Sequence, residues 1–109
     1  MQESPYQSIG FRLRSKYPTT IPVIVDVSGL YNDPISDSKL LIRGDDNLIL
    51  SIRRYLHRQE QVPDRNLSIL ARGPTVLAPS LTAIDVWNLR RDPRDDVLYI
   101  KAYSENVFG

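Results

Sequence analysis

The chain offers a single histidine, His57, and no cysteine. That inventory removes disulfide scaffolds, thiolate zinc sites, cysteine nucleophiles and any Ser/His dyad that does not use His57. His57 falls at the end of a periodic apolar segment, and no partner for base catalysis can be named for it. Asp92, Asp95 and Asp96 cluster in sequence without the oxygen-ligand spacing or the glycine of a calcium loop, so no metal is expected there. Two arginine groups, Arg53, Arg54 and Arg58, and Arg90, Arg91 and Arg94, could meet a phosphate or a lipid headgroup. Asp45, Asp46, Asp92, Asp95 and Asp96 offset them, and a solvated charged face is the simpler reading. Fourteen Lys plus Arg against thirteen Asp plus Glu leave a formal charge of +1. No net field is available to hold a polyanion, so nucleic acid is not an expected partner. No cofactor is implied, and the chain does not read as an enzyme.

The elements that would position these residues must fit within one domain, since 109 residues match a single hydrophobic core. The apolar runs are shorter than the roughly 18 residues that suggest a membrane span, and MQESPYQSIG lacks the long apolar stretch of a signal peptide. A soluble intracellular domain is the expectation. Ile9, Phe11 and Leu13 give a weak helical face that Pro18 must stop, and Gly10 costs such a helix about 1 kcal/mol relative to Ala. Ile21 to Val27, reading IPVIVDV, is a β-branched strand with Pro22 near its start, where an edge tolerates a missing donor. Leu40, Leu41 and Ile42 form a second strand, paired with the first as a wide hairpin. Asp45 and Asp46 offer acceptors for a helix start, and Leu48, Ile49, Ile52, Tyr55 and Leu56 recur at helical spacing to about Gln59.

A third strand follows around Leu67 and Ile69, then a turn at Gly73-Pro74 and a short apolar piece, Val76-Leu77. Ser80 is a plausible cap for a second main helix from Leu81 to about Arg91, with Leu81, Ile84, Trp87 and Leu89 on its apolar face; Trp87 is most simply core. Asp92-Pro93 ends it, and Val97 to Tyr103 alternates as a last strand. The spacing therefore predicts an α+β fold with the element order of the ubiquitin-like β-grasp: a mixed sheet of four to five strands packed on helices, preceded by a short helix.

Local strings narrow this further. KYPTTIPVIVD (Lys16 to Asp26) resembles the approach to the first strand in the GABARAP-type autophagy ubiquitin-like modifiers, where Lys-Tyr-Pro-x-x-Ile-Pro-Val-Ile-Val is common. LYIKAYSENVFG (Leu98 to Gly109) is similar to the ending of that family, in which a Leu-Tyr strand leads to an aromatic residue and glycine. The resemblance spans roughly Leu13 to Gly109. It departs at Thr20, where an arginine is usual, at Leu40, where an aromatic is usual, and at Arg43, where a proline is usual. The string Leu77-Ala78-Pro79-Ser80 resembles instead the sister modifier of the same pathway, which is joined to a protein lysine.

The resemblance implies three parts: an N-terminal helical extension over residues 1–18, a β-grasp domain over 19–103, and a conjugation tail over 104–109. In such a modifier the carboxylate of Gly109, preceded by Phe108, becomes an acyl adenylate on an activating enzyme. It passes as a thioester to the cysteines of that enzyme and of a conjugating enzyme, and ends as an amide of phosphatidylethanolamine on the autophagosomal membrane. The unconjugated form is expected in the cytoplasm, and a processing cysteine protease is a further implied partner. A glycine lacks a Cβ, which leaves the acyl carbon accessible in a narrow channel. Any chain can also end in glycine, and a β-grasp module that is never conjugated is the remaining alternative.

The resemblance also implies receptors carrying an aromatic-x-x-aliphatic motif, taken up by β-augmentation along the second strand. Carried over residue by residue, the aromatic pocket would involve Leu13, Pro22, Ile24, Lys39, Leu41 and Val97. The aliphatic pocket would involve Leu40, Ile42, Leu48 and Ile52. Lys39 could attract acidic residues flanking the motif. Taken singly, Ile24, Leu48 and Ile52 are as readily ordinary core.

Overall fold

The computed structural model describes residues 7–27, 37–60, 67–71 and 78–104. Helix α1 spans Ile9–Lys16, strand β1 Thr20–Val27, strand β2 Asp37–Arg43, helix α2 Leu48–Glu60, strand β3 Leu67–Ala71, helix α3 Ala83–Arg90 and strand β4 Leu98–Ser104. The strands form one sheet in the order β2-β1-β4-β3. β1 runs antiparallel to β2 and parallel to β4, and β3 is antiparallel to β4. Two hairpin-like pairs thus flank a parallel centre, which is the β-grasp arrangement. Four strands are present among the described residues; the expected short piece Val76-Leu77 lies outside them.

The alternation of IPVIVDV explains why β1 sits in the middle. Ile21, Val23, Val25 and Val27 are all buried, and successive strand residues point to opposite faces, so these four cover one side of the sheet. Leu98, Ile100 and Ala102 of β4 and Ile42 of β2 join them. α2 contributes Leu48, Ile52 and Leu56, spaced one turn apart, each with no exposed surface. α3 adds Ala83, Val86 and Trp87 to the same cluster. Pro22 lies in a strand with neighbours on both sides rather than at a sheet edge. It pairs with Leu41 of β2, but the ladder to β4 begins only at Val23, so at Pro22 one side of β1 carries no pairing that would need its missing N–H.

Helix starts differ from expectation by one or two residues. At α2 the acceptor is neither Asp45 nor Asp46: Asn47 Oδ1 takes the Leu50 amide at 2.9 Å, while Asn47 Nδ2 donates to the Pro79 carbonyl at 2.6 Å. Asp45 instead meets Arg43, which holds the Asp45 carboxyl below its ordinary range. At α3 the cap is Thr82, not Ser80, and the helix begins at Ala83 rather than Leu81. Leu89 points outward, 70% exposed, because the buried face of this short helix runs through Ala83, Val86 and Trp87.

Gly10 is the point at which α1 docks. Its amide donates to the Asp95 carbonyl at 2.7 Å, and a Cβ built there would stand 2.0 Å from the Asp96 carbonyl oxygen. The helix-propensity cost of glycine is therefore outweighed by close backbone approach. Gly10→Ala is expected to lower unfolding free energy by roughly 1–3 kcal/mol, the cost typical of overpacking, and to speed amide exchange in α1. Urea unfolding with exchange mass spectrometry checks both, and an unchanged or raised stability contradicts the docking argument.

Candidate functional site

The face of the sheet opposite the core is built by the other residue set of the same alternating strands. Lys39 pairs with Ile24, and Ile24 with Tyr99, so these three cross the sheet as one row. Leu41 and Pro22 form the next row, with Val97 just ahead of the first parallel pair, Val23 with Leu98. α1 brings Ile9 and Leu13, one turn apart, alongside them. Between helix and sheet lies a cavity of about 370 Å³ whose border includes every residue expected of the aromatic pocket: Leu13, Pro22, Ile24, Lys39, Leu41 and Val97. Leu41 is 43% exposed although apolar, since it sits on β2 with its side chain on the uncovered face.

A second, more open groove of about 260 Å³ shares Leu40 and Leu41 with the first and is completed by Ile42 and Tyr55 with the polar side chains of Arg43, Asp46, Ser51 and Arg54. Leu40 and Ile42 border it as expected, whereas Leu48 and Ile52 do not. Their side chains are fully buried with Leu56 in the core cluster, because one stripe of α2 faces the core. Arg43, at the rim, is paired with Asp45, and the carboxylate holds the guanidinium above its ordinary pKa. Both partners are well exposed, so the pair contributes little to stability. Along both grooves runs β2 itself, an edge strand paired with β1 alone among the described residues. Its outer backbone groups are available to an added strand.

The acidic cluster is a structural turn. Asp92 accepts the Arg94 amide at 2.8 Å and pairs with the Arg94 guanidinium. Asp95 accepts the Val97 amide at 3.0 Å and the Tyr99 hydroxyl. Asp96 accepts Arg91 Nε at 3.0 Å, and its carbonyl takes Trp87 Nε1 at 2.8 Å. Asp96 has φ 58, a left-handed conformation that Asp tolerates better than most residues. Trp87 is thereby tied to the turn; its ring also meets Phe11 edge-on at 5.8 Å and lies under the guanidinium carbons of Arg14 and Arg91 at 4.7 and 4.2 Å. The same turn receives Gly10, so it fixes where α1 lies and hence how wide the main groove is.

Sequence reasoning missed Ile9, Val23, Asp95 and Tyr99 at the main groove and Arg43, Asp46, Ser51, Arg54 and Tyr55 at the second. Tyr99 was accessible from the alternation of Val97 to Ile100. Ile9 and Asp95 carried no local signal, since tertiary docking of α1 brings them there. Gly109 and Phe108 lie outside the described residues, as does the side chain of His57. No helix among the described residues is long and apolar enough to cross a membrane.

The topology defines a ubiquitin-like fold. No protein-family model matches the chain. Among solved structures it is similar to ATG8 of Trypanosoma brucei, with a TM-score of 0.68 and 24% identity over 99% of this chain and 100% of that one. At that identity the likeness establishes the fold and leaves function to the site.

Proposed function

We propose that this chain is a ubiquitin-like modifier of autophagy, resembling the GABARAP-type proteins, that docks receptors on its second strand and is conjugated through Gly109 to phosphatidylethanolamine. The observation that carries this reading is an apolar groove and a mixed polar and apolar one side by side along an edge strand with open hydrogen-bonding groups. An extended peptide added to β2 gains backbone bonds from the edge, and its alternate side chains reach the two grooves. The larger groove suits an aromatic anchor. The smaller, floored by Leu40 and Ile42, suits an aliphatic one three residues further on. Lys39, exposed on β2, favours acidic residues beside the aromatic anchor.

The conjugation chemistry draws on no side chain of the modifier. ATP activates the Gly109 carboxylate as an acyl adenylate with loss of pyrophosphate. An enzyme cysteine displaces AMP to give a thioester, and the headgroup amine displaces that thiol to give the amide. Reactive cysteines thus belong to the activating and conjugating enzymes, in keeping with a chain that has none. The similarity of fold to the Trypanosoma brucei protein and the ENVFG ending support this reading. The string Leu77-Ala78-Pro79-Ser80 favours a second one, in which the same thioester is attacked by a lysine of a partner protein.

A calorimetric titration with a ten-residue peptide carrying an aromatic-x-x-leucine core tests the docking function. The expected dissociation constant is on the order of micromolar, equivalent to about 8 kcal/mol. Absence of binding, or equal binding by a peptide with both anchors replaced by alanine, overturns it.

A further inference from the structure

The second groove differs in kind from the main one. Leu40 and Ile42 give it an apolar floor, yet its border also carries Arg43 and Asp46, from the end of β2 and the turn after it, and Ser51 and Arg54 from α2. Ser51, Arg54 and Tyr55 stand at i, i+3 and i+4, so they share one face of α2, beside the Leu48, Ile52 and Leu56 stripe that enters the core. The two arginines are not equivalent. Arg43 pairs with Asp45 at 3.1 Å, and the charge of Asp46 also favours its protonated form, so the acidic side of the groove is already answered. Arg54 is exposed, and its guanidinium forms no ion pair or hydrogen bond among the described residues. With the hydroxyls of Ser51 and Tyr55 it gives the α2 wall three side chains that can donate.

A purely aliphatic anchor in this groove displaces water from the α2 wall without replacing its hydrogen bonds. A side chain with an apolar stem and an acceptor-only head avoids that cost. An ionised carboxylate accepts on both oxygens and matches the fork of a guanidinium. Aspartate has a single methylene to lay on the floor, whereas glutamate has two and carries its head further toward α2. We infer that the second groove recognises a glutamate three residues after the aromatic anchor, its methylenes on Leu40 and Ile42 and its carboxylate on Arg54. This rests on the reading above that an extended peptide lies along β2, and it gives the aliphatic stem at the second anchor an acidic head.

The test uses the full chain and four peptides that differ only at the second anchor: glutamate, glutamine, leucine and lysine. At low ionic strength the glutamate peptide is expected to bind about threefold more tightly than the glutamine peptide, a ratio within reach of one exposed charge pair. The leucine peptide should bind no more tightly than the glutamate peptide. Added salt should bring glutamate and glutamine together, because exposed charges are screened. In Arg54→Glu the order should reverse, with lysine above glutamate, which a merely structural role for Arg54 does not produce. Urea unfolding checks that this exposed substitution leaves the fold intact, and the ranking on the native chain stands without it. Equal affinities for glutamate and glutamine overturn the role of Arg54 while leaving peptide docking intact. Leucine binding more tightly than glutamate overturns the acidic head, and lysine binding most tightly to the native chain assigns the groove to Asp46 and overturns it too. Failure of all four peptides to bind overturns the docking reading together with this one.

Discussion

Leu41→Asp is expected to weaken binding of an aromatic-x-x-aliphatic peptide by at least about a hundredfold, close to 3 kcal/mol. Leu41 borders both grooves, pairs across the ladder with Pro22, and is 43% exposed before any ligand arrives. A peptide laid along β2 covers this position. The substitution therefore removes apolar contact with both anchors and places between the grooves a carboxylate whose hydration the apolar anchors would displace. Its cost to the free protein is small, about 1 kcal/mol or less, because the side chain faces away from the core and only strand propensity is lost. Calorimetry paired with urea unfolding separates the two effects. An affinity within a few fold of the native chain contradicts the placement of the peptide, and a collapse in stability contradicts the account of which face Leu41 occupies.

Trp87→Ala carries the largest expected loss of stability, about 3–5 kcal/mol, as for other buried tryptophans. This is a large share of the roughly 5–15 kcal/mol available to a domain. Trp87 is 3% exposed, donates to the Asp96 carbonyl, meets Phe11 edge-on and underlies two guanidiniums. Removing it leaves a cavity, orphans the Asp96 carbonyl and withdraws two of the contacts that hold α1. Denaturant unfolding measures the loss, and amide exchange in α1 should rise more than exchange in β1. A loss under about 1 kcal/mol, or equal loosening of α1 and β1, contradicts the role assigned to this ring. Because α1 supplies Ile9 and Leu13 to the groove, the variant should also bind peptide more weakly at temperatures where it remains folded.

The elements were legible where one physical cause dominates. IPVIVDV alternates cleanly, so its strand and its buried face follow from period-two geometry, and the Leu48, Ile52, Leu56 spacing fixes α2. Caps were less legible. Asp45, Asp46 and Asn47 can each accept an amide; Asn47 is selected because its amide group also reaches Pro79, a contact 32 residues away in sequence. Thr82 likewise prevails over Ser80 at a point where Asn47 and Thr82 form an isolated bridge between segments. The candidate site shows the same division. Pro22, Ile24, Lys39, Leu41 and Val97 were named only through the family resemblance, and strand register sets them side by side, while Ile9 and Asp95 join the groove only through the fit of Gly10 against the turn before β4. Leu48 and Ile52 could serve core or pocket by sequence alone, and the rotation of α2 about its axis assigns them to the core.

Reconstitution tests the central claim that this chain is a conjugated modifier. The full chain is incubated with ubiquitin-like activating and conjugating enzymes of this pathway, ATP and liposomes containing phosphatidylethanolamine, then resolved by gel electrophoresis and mass spectrometry. The account predicts a product heavier by the lipid less one water, formed only with ATP and absent when Gly109 is deleted. No product from the native chain, or an equal product from the Gly109-deleted chain, would contradict it.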